Sequence, residues 1–183
     1  MEFGGDVYGG VYEYMKAAVY RTNIVLIGMP GSGKTRLGEA LARRLGRPFV
    51  DTDALIVQEA GQPIEAIFAQ QGEAAFRDLE EAAIARAAKE TGQVISTGGG
   101  SILRPANVDR LRQNGVLLHV YRPLEQLSLG QGRPLSQSRA DNEAIWQARA
   151  PLYAAAAHRK FENTGNPELA AQSAYDAFLA AAR

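Results

Sequence analysis

The sequence predicts an α/β domain in which a parallel sheet carries helices on both faces. Short apolar runs alternate along the chain with longer stretches whose apolar residues recur at helical spacing. These runs are continuously apolar rather than alternating, as in strands covered on both sides. A third observation places a ligand on the sheet. The first run leads straight into Gly28-Met29-Pro30-Gly31-Ser32-Gly33-Lys34-Thr35, a glycine, any four residues, then Gly-Lys-Ser/Thr. In that pattern the N–H groups of residues such as Gly31, Ser32 and Gly33, with the N-terminus of the next helix, cradle phosphate. Lys34 then reaches the terminal phosphates, and the Thr35 hydroxyl ligates Mg²⁺.

A chain of 183 residues is long enough for one domain with a sizeable core and short for two. Its 20 Lys and Arg balance its 20 Asp and Glu. Bulk charge therefore gives no reason to expect a nucleic acid or an anionic membrane as partner, and any cationic site must be local. Without cysteine there is no disulfide, thiolate metal site or cysteine nucleophile, which fits a reducing compartment. No apolar run is long enough to span a bilayer. The start, with Glu2 and Asp6, lacks the basic and apolar stretches of a secretory signal. A cytoplasmic protein is expected.

Residues 1–22 are rich in Gly and Tyr without a period and read as an extension outside the domain, with Met15-Lys16 as a natural start. The domain occupies 23–183. Asn23–Ile27 is a central strand, and the residues after Thr35 carry Leu37, Ala40, Leu41 and Leu45 at helical spacing up to a stop at Gly46. Pro48-Phe49-Val50 is a second strand. It delivers Asp51-Thr52-Asp53 at its carboxyl end, where ligands bind in open α/β sheets. Helices follow over 54–60, 64–70 and 73–90, separated by turns at Gly61-Gln62-Pro63 and Gly72. Val94–Ser96 is a strand running into Gly98-Gly99-Gly100. Pro105 opens a helix that Asn114-Gly115 closes, and 116–121 is a further strand. Residues 123–129 suit a short helix, 130–141 a polar, aperiodic, mobile loop, and 143–158 a helix. An edge strand over 161–165 precedes an Ala-rich helix from Pro167, which Asn166 caps.

The strand Val94–Ser96 ends in Thr97 and glycines, without the metal-organising Asp that an ordinary phosphate-loop ATPase places there. Asp51 is the natural substitute, holding Mg²⁺ directly or through water. Asp53 is then free to accept a proton from a substrate hydroxyl or to orient it. Both residues also suit a turn or a helix cap. The triple glycine allows close backbone approach to a ligand. Arg77, Arg133 and Arg149 are candidates for bidentate recognition of carboxylate or phosphate. His119, in an apolar strand, reads as a satisfied core or sheet-face histidine, and His158 and Trp146 as packing or surface residues.

In order along the chain, the octet, Asp51-Thr52-Asp53, Phe76-Arg77-Asp78-Leu79-Glu80, Gly98-Gly99-Gly100, Arg133-Pro134-Leu135 and Arg149-Ala150-Pro151-Leu152-Tyr153 resemble the shikimate kinases. The resemblance covers about residues 23–153. It implies a P-loop, nucleoside-monophosphate-kinase-like fold of about five parallel strands, with a substrate-binding helical part near 54–90 and a lid near 130–141. The implied activity is transfer of the ATP γ-phosphoryl group to the 3-hydroxyl of shikimate, with Mg²⁺, by a monomer in the pathway to chorismate and aromatic amino acids. Lys34 and Arg133 would serve the ATP phosphates, and Thr35 and Asp51 the metal. Asp53 would meet the shikimate hydroxyls as candidate base, Arg77 and Arg149 its carboxylate, and Gly99 and Gly100 its ring. Phosphoryl transfer needs positioning and charge neutralisation more than covalent chemistry, so these are the parts expected.

Members of that family commonly carry a further Arg at the lid entry, where this chain has Leu127-Ser128-Leu129-Gly130, and the lid is a few residues short. The adenine-side segment Glu162-Asn163-Thr164-Gly165-Asn166-Pro167 also lacks an Arg that some members stack on the base. Arg139 is the lid residue available to compensate. Two other readings stay open, another small hydroxy-acid kinase of the gluconate-kinase kind and a ligand-binding relative without catalysis.

Overall fold

The computed structural model describes residues 17–129 and 134–182. In chain order its elements are β1 (Asn23–Ile27), α1 (Lys34–Leu45), β2 (Phe49–Asp51), α2 (Thr52–Ala60), α3 (Ile64–Ala87), β3 (Val94–Ser96), α4 (Pro105–Gln113), β4 (Gly115–Tyr121), α5 (Arg139–Ala156), β5 (Arg159–Glu162) and α6 (Pro167–Ala181). The strands form one sheet in the order β2-β3-β1-β4-β5, and every pair is parallel.

β1 is the central strand and is buried at all of its positions. Because side chains alternate across a strand, it feeds two cores. Ile24 and Leu26 pack with Leu37 and Leu41 of α1 and with Ala171, Ala174 and Phe178 of α6. Val25 and Ile27 pack with Ile84 of α3, Leu111 of α4 and Tyr153 of α5. Burying each such aliphatic side chain contributes about 1.5 to 3 kcal/mol, so a polar residue in β1 would cost both layers. A third cluster, Ile56, Ile67, Phe76 and Ala83, joins α2 to α3 away from the sheet.

Helix ends follow the local chemistry. α1 stops at Gly46, whose left-handed φ of 62° closes the last turn. Asn166 caps α6 by accepting from the N–H groups of Glu168 and Leu169. α3 is two helices joined at Gly72 (φ 81°), where the turn was expected, and it ends at Ala87 rather than 90.

Three expectations need correction. Residues 123–129 make only one 3₁₀ turn, Leu124–Gln126. The chain then folds over the phosphate loop, with the Ser128 N–H and hydroxyl both donating to the Gly31 carbonyl at 3.2 Å. The loop read over 130–141 is also too long, since α5 begins at Arg139. Ser138 Oγ accepts from the Asp141 N–H (3.0 Å) while the Asp141 carboxylate accepts from the Ser138 N–H (2.8 Å), a reciprocal cap that starts the helix. Arg139 therefore belongs to a helical first turn and not to an irregular loop. The last strand lies at Arg159–Glu162, earlier than read. The start at Met15-Lys16 and Arg133 fall outside the described residues.

Candidate active site

Parallel strands put all their carboxyl ends on one edge of the sheet, and the polar segments gather there. The phosphate loop leaves β1 and enters α1 at Gly33 (φ 88°), with no acidic residue in the first helical turn to compete with an anion. Lys34 bends back over the loop and donates to the carbonyls of Gly28 and Met29, both at 2.8 Å. The Thr35 hydroxyl donates to Asp51 Oδ2 at 2.7 Å. Asp51 Oδ1 meanwhile accepts from the N–H groups of Asp53 (2.9 Å) and Ala54 (3.3 Å). One carboxylate thus both caps α2 and stands beside Thr35. The two readings of Asp51, as cap and as metal-shell residue, are compatible.

Across the cleft, Asp53 sits in the first turn of α2 with its Oδ1 buried and without a partner among the described residues. Burial first, then the charges of Asp51 and Glu80, push its pKa up to about 7, while Lys34 and Arg77 pull the other way. Glu80 Oε1 is likewise buried and unpartnered. Both oxygens crowd Gly98, at 2.7 Å (Glu80) and 2.8 Å (Asp53) from where a Cβ there would lie. Glu80 Oε2 accepts from Arg77 Nη1 at 2.7 Å, and Glu73 takes the other edge of the guanidinium at 3.0 Å. Arg77 lies so close over Gly100 that any side chain at 100 would collide with the guanidinium. Arg149 reaches the same cleft from α5 and is nearly buried, 7% exposed.

One cleft of about 250 Å³ is lined by Gly31, Gly33, Lys34, Thr35, Asp51, Asp53, Arg77, Gly99, Gly100 and Arg149. Of the residues singled out from sequence, Ser32 is buried beneath the loop at 0% exposure, and Arg133 lies outside the described residues. Thr35 Oγ1 and Asp51 Oδ2 are hard oxygen donors side by side at the mouth of the phosphate loop. Among the described residues no set of three or more Asp, Glu, His or Cys forms a cage for a metal. That donor set fits Mg²⁺, which takes one or two protein oxygens together with phosphate oxygens and water.

The shikimate kinase family pattern matches residues 30–179. The chain belongs to the shikimate kinase family. A shikimate kinase of Symbiobacterium thermophilum is 47% identical over 145 residues, 74% of this chain and 83% of that protein. Among solved structures, a shikimate kinase from Acinetobacter baumannii in complex with shikimate matches with a TM-score of 0.84 at 33% identity, covering 91% of this chain and 97% of the other. A gluconokinase from Sinorhizobium meliloti, at 17% identity and a TM-score of 0.57, shares the fold.

Several residues that matter in this shikimate kinase family site escaped the sequence reading. Asn163, after β5, donates to the Ser32 carbonyl at 2.8 Å and props the phosphate loop from below. Glu80 stood inside the Phe76-Arg77-Asp78-Leu79-Glu80 motif, and its spacing of three from Arg77 on a helix was the available signal. Tyr153 donates to the Gly99 carbonyl at 2.6 Å. His119 is buried as expected and stacks on Tyr153 at 4.9 Å, yet its Nε2 has no partner among the described residues. Burial, with Lys160 and Lys34 nearby, pushes its pKa down to about 4, so it stays neutral. Trp146 packs on His119 and Tyr121. His158 is more than a surface residue, since its Nδ1 accepts the Leu117 N–H at 2.9 Å.

Proposed function

We propose that the chain phosphorylates the 3-hydroxyl of shikimate with ATP, giving shikimate 3-phosphate on the route to chorismate and aromatic amino acids. The observation that carries this reading is the joint lining of one cleft by a phosphate loop, two nearly buried arginines and a carboxylate with a pKa near 7. A substrate that satisfies all of these carries one carboxylate and at least one hydroxyl.

Arg77 and Arg149 hold the shikimate carboxylate, and Gly99 and Gly100 let the ring lie against backbone. Asp53 takes the proton of the 3-hydroxyl as its oxygen bonds to the γ-phosphorus and the bond from that phosphorus to the β,γ-bridging oxygen breaks. A carboxylate with a pKa near 7 is a stronger base than an ordinary one and is still ionised in part at neutral pH. Lys34 neutralises charge gathering on the β- and γ-phosphates, and the family resemblance assigns Arg133 to the same phosphates as a second cation. Thr35 and Asp51 would hold Mg²⁺, which would supply further charge neutralisation on the phosphate oxygens. No helix among the described residues is long and apolar enough to cross a membrane. The absence of cysteine supports a cytoplasmic setting, in which we expect the protein to act as a monomer.

The test is ADP release measured over a panel of hydroxy acids. Shikimate should exceed gluconate in kcat/KM by about 100-fold or more. Gluconate turnover without shikimate turnover would replace the substrate assignment, and tight shikimate binding by calorimetry with no turnover at all would replace the catalytic one.

A further inference from the structure

Tyr153 is fully buried, at 0% exposure, and its hydroxyl donates to the Gly99 carbonyl at 2.6 Å across 54 residues of sequence. The C=O of Gly99 and the N–H of Gly100 belong to one planar trans peptide and point in opposite directions. Fixing the carbonyl toward the core therefore turns the Gly100 N–H away from it. That N–H makes no hydrogen bond within the described residues, and Gly100 lines the cleft.

The same side chain reaches two further parts of the site. Arg149 lies one helical turn before Tyr153 on the same face of α5, and its charge acts on the phenol oxygen. On its other side Gly99 is pressed against the phosphate loop, with Pro30 Cδ only 2.6 Å from where a Gly99 Cβ would stand. Tyr153, Gly99 and Pro30 form a continuous line of contact from the helix carrying one carboxylate-binding arginine to the loop that holds the phosphoryl donor. The ring itself is clamped by its stack on His119 at 4.9 Å and 23°.

From this geometry we infer that Tyr153 is a positioning residue for phosphoryl transfer: through the Gly99 carbonyl it aims the Gly100 N–H at the acceptor and fixes Arg149 relative to the phosphate loop. The inference rests on the reading of the acceptor as shikimate. Nothing in it requires Tyr153 to touch either substrate. A small tilt of the 99–100 peptide would move a donor and a clamp together, and misplacement of reacting groups by about 1 Å costs on the order of 100-fold in rate.

Tyr153→Phe keeps the ring and its stack and removes only the hydroxyl. Expected is a fall in kcat/KM for shikimate of about tenfold or more, the scale of a buried acceptor left unpaired, with KM for ATP within twofold of wild type. Misalignment should also let water attack the γ-phosphorus in place of the hydroxyl. ADP and inorganic phosphate would then exceed shikimate 3-phosphate, where wild type gives ADP and shikimate 3-phosphate one to one. Trp146→Phe is the control, because it loosens the stack on His119 without touching the hydroxyl. It should lower Tm yet keep the one-to-one ratio. Wild type without shikimate-dependent ADP would sink the substrate reading and this inference with it. Active wild type, with Tyr153→Phe inside twofold in kcat and in KM for both substrates and still one to one, would overturn the positioning role alone.

Discussion

The phosphate loop is held through its own backbone carbonyls, two of them by the Lys34 ammonium and the others by neutral side chains, whereas the acceptor side of the same cleft is held by charges packed against one another. Around the loop, Lys34 rests on two carbonyls, Asn163 holds the Ser32 carbonyl, and Ser128 closes on Gly31. Across from it, Arg77, Glu80, Glu73 and Asp53 crowd together, and two buried carboxylate oxygens, Asp53 Oδ1 and Glu80 Oε1, have no partner among the described residues. The donor half is close to satisfied as it stands. The acceptor half has unmet hydrogen bonds, and on the proposed reading a hydroxyl-bearing acid supplies donors for the carboxylates and an anion for Arg149, since Arg77 is already paired with Glu73 and Glu80. A site can be preorganised and still be costly, because its unmet hydrogen bonds are the ones the ligand makes.

The largest effect that would break this contrast comes from Asp53→Asn. Turnover should fall at least about 100-fold, as expected for loss of a general base, while ATP affinity, a property of the other half, stays within about threefold. Stability should move the opposite way. Asp53 has its pKa raised in the folded protein to about 7, above its ordinary 3.8. Its contribution is therefore intact below pH 3.8 and lost as pH climbs through 7, where the folded state must ionise a group that burial disfavours. Asn carries no such penalty. Denaturation at pH 8 should show the variant more stable by roughly 2 kcal/mol, or about 4 °C or more in Tm, with the gap closing toward pH 4. An unchanged or lowered stability at pH 8 would mean that the acceptor side is not under electrostatic strain.

A smaller effect sharpens the same point. Glu80→Gln keeps an oxygen for Arg77 and removes a negative charge that helps to raise Asp53. The acid limb of kcat/KM for shikimate should move to lower pH by about 0.5 to 1 unit, and the plateau should drop by less than tenfold. A limb that stays in place would show that burial and the charge of Asp51 set the pKa of Asp53 without Glu80, or that another group titrates there.

The two halves also differ in how much of them can be read in sequence. The donor loop is eight contiguous residues, and β1, the stop at Gly46, the turn at Gly72 and the cap at Asn166 are local features whose chemistry is written within a few positions. Asp53, Arg77, Gly99, Gly100 and Arg149 could be named because each type suits the chemistry. Their meeting in one cleft is tertiary, and for them the ordered family pattern did what local rules could not. The supports stayed hidden for the same reason. Asn163 reaches Ser32 across 131 residues and Tyr153 reaches Gly99 across 54. A Glu beside an Arg on a helix reads as a surface pair until burial is known, and Glu80 is 1% exposed. The start of α5 was missed although its signal is local. Ser138 and Asp141 fit a capping box with Asp in place of the usual Glu or Gln, inside a polar stretch that reads as loop.

That cap starts the helix that carries Arg149 and Tyr153, and the residues just before it, Pro134, Leu135 and Ser136, line the cleft. Ser138→Ala removes the oxygen that accepts the Asp141 N–H, at a cost of about 1 kcal/mol, or about 2 to 4 °C in Tm for a domain of this size. The first turn should fray, and with it the contact of buried Ser136 with Asn142. Arg149 lies nearly three turns further on, where Tyr153 anchors the helix, so KM for shikimate should hold within twofold. If Pro134, Leu135 and Ser136 belong with the lid over the ATP phosphates, as the family resemblance implies, any kinetic change should fall on KM for ATP and remain below about fivefold. A rise in KM for shikimate instead would show that α5 moves as one rigid rod, and that the acceptor half takes its geometry from the cap and not from the buried charges around Glu80.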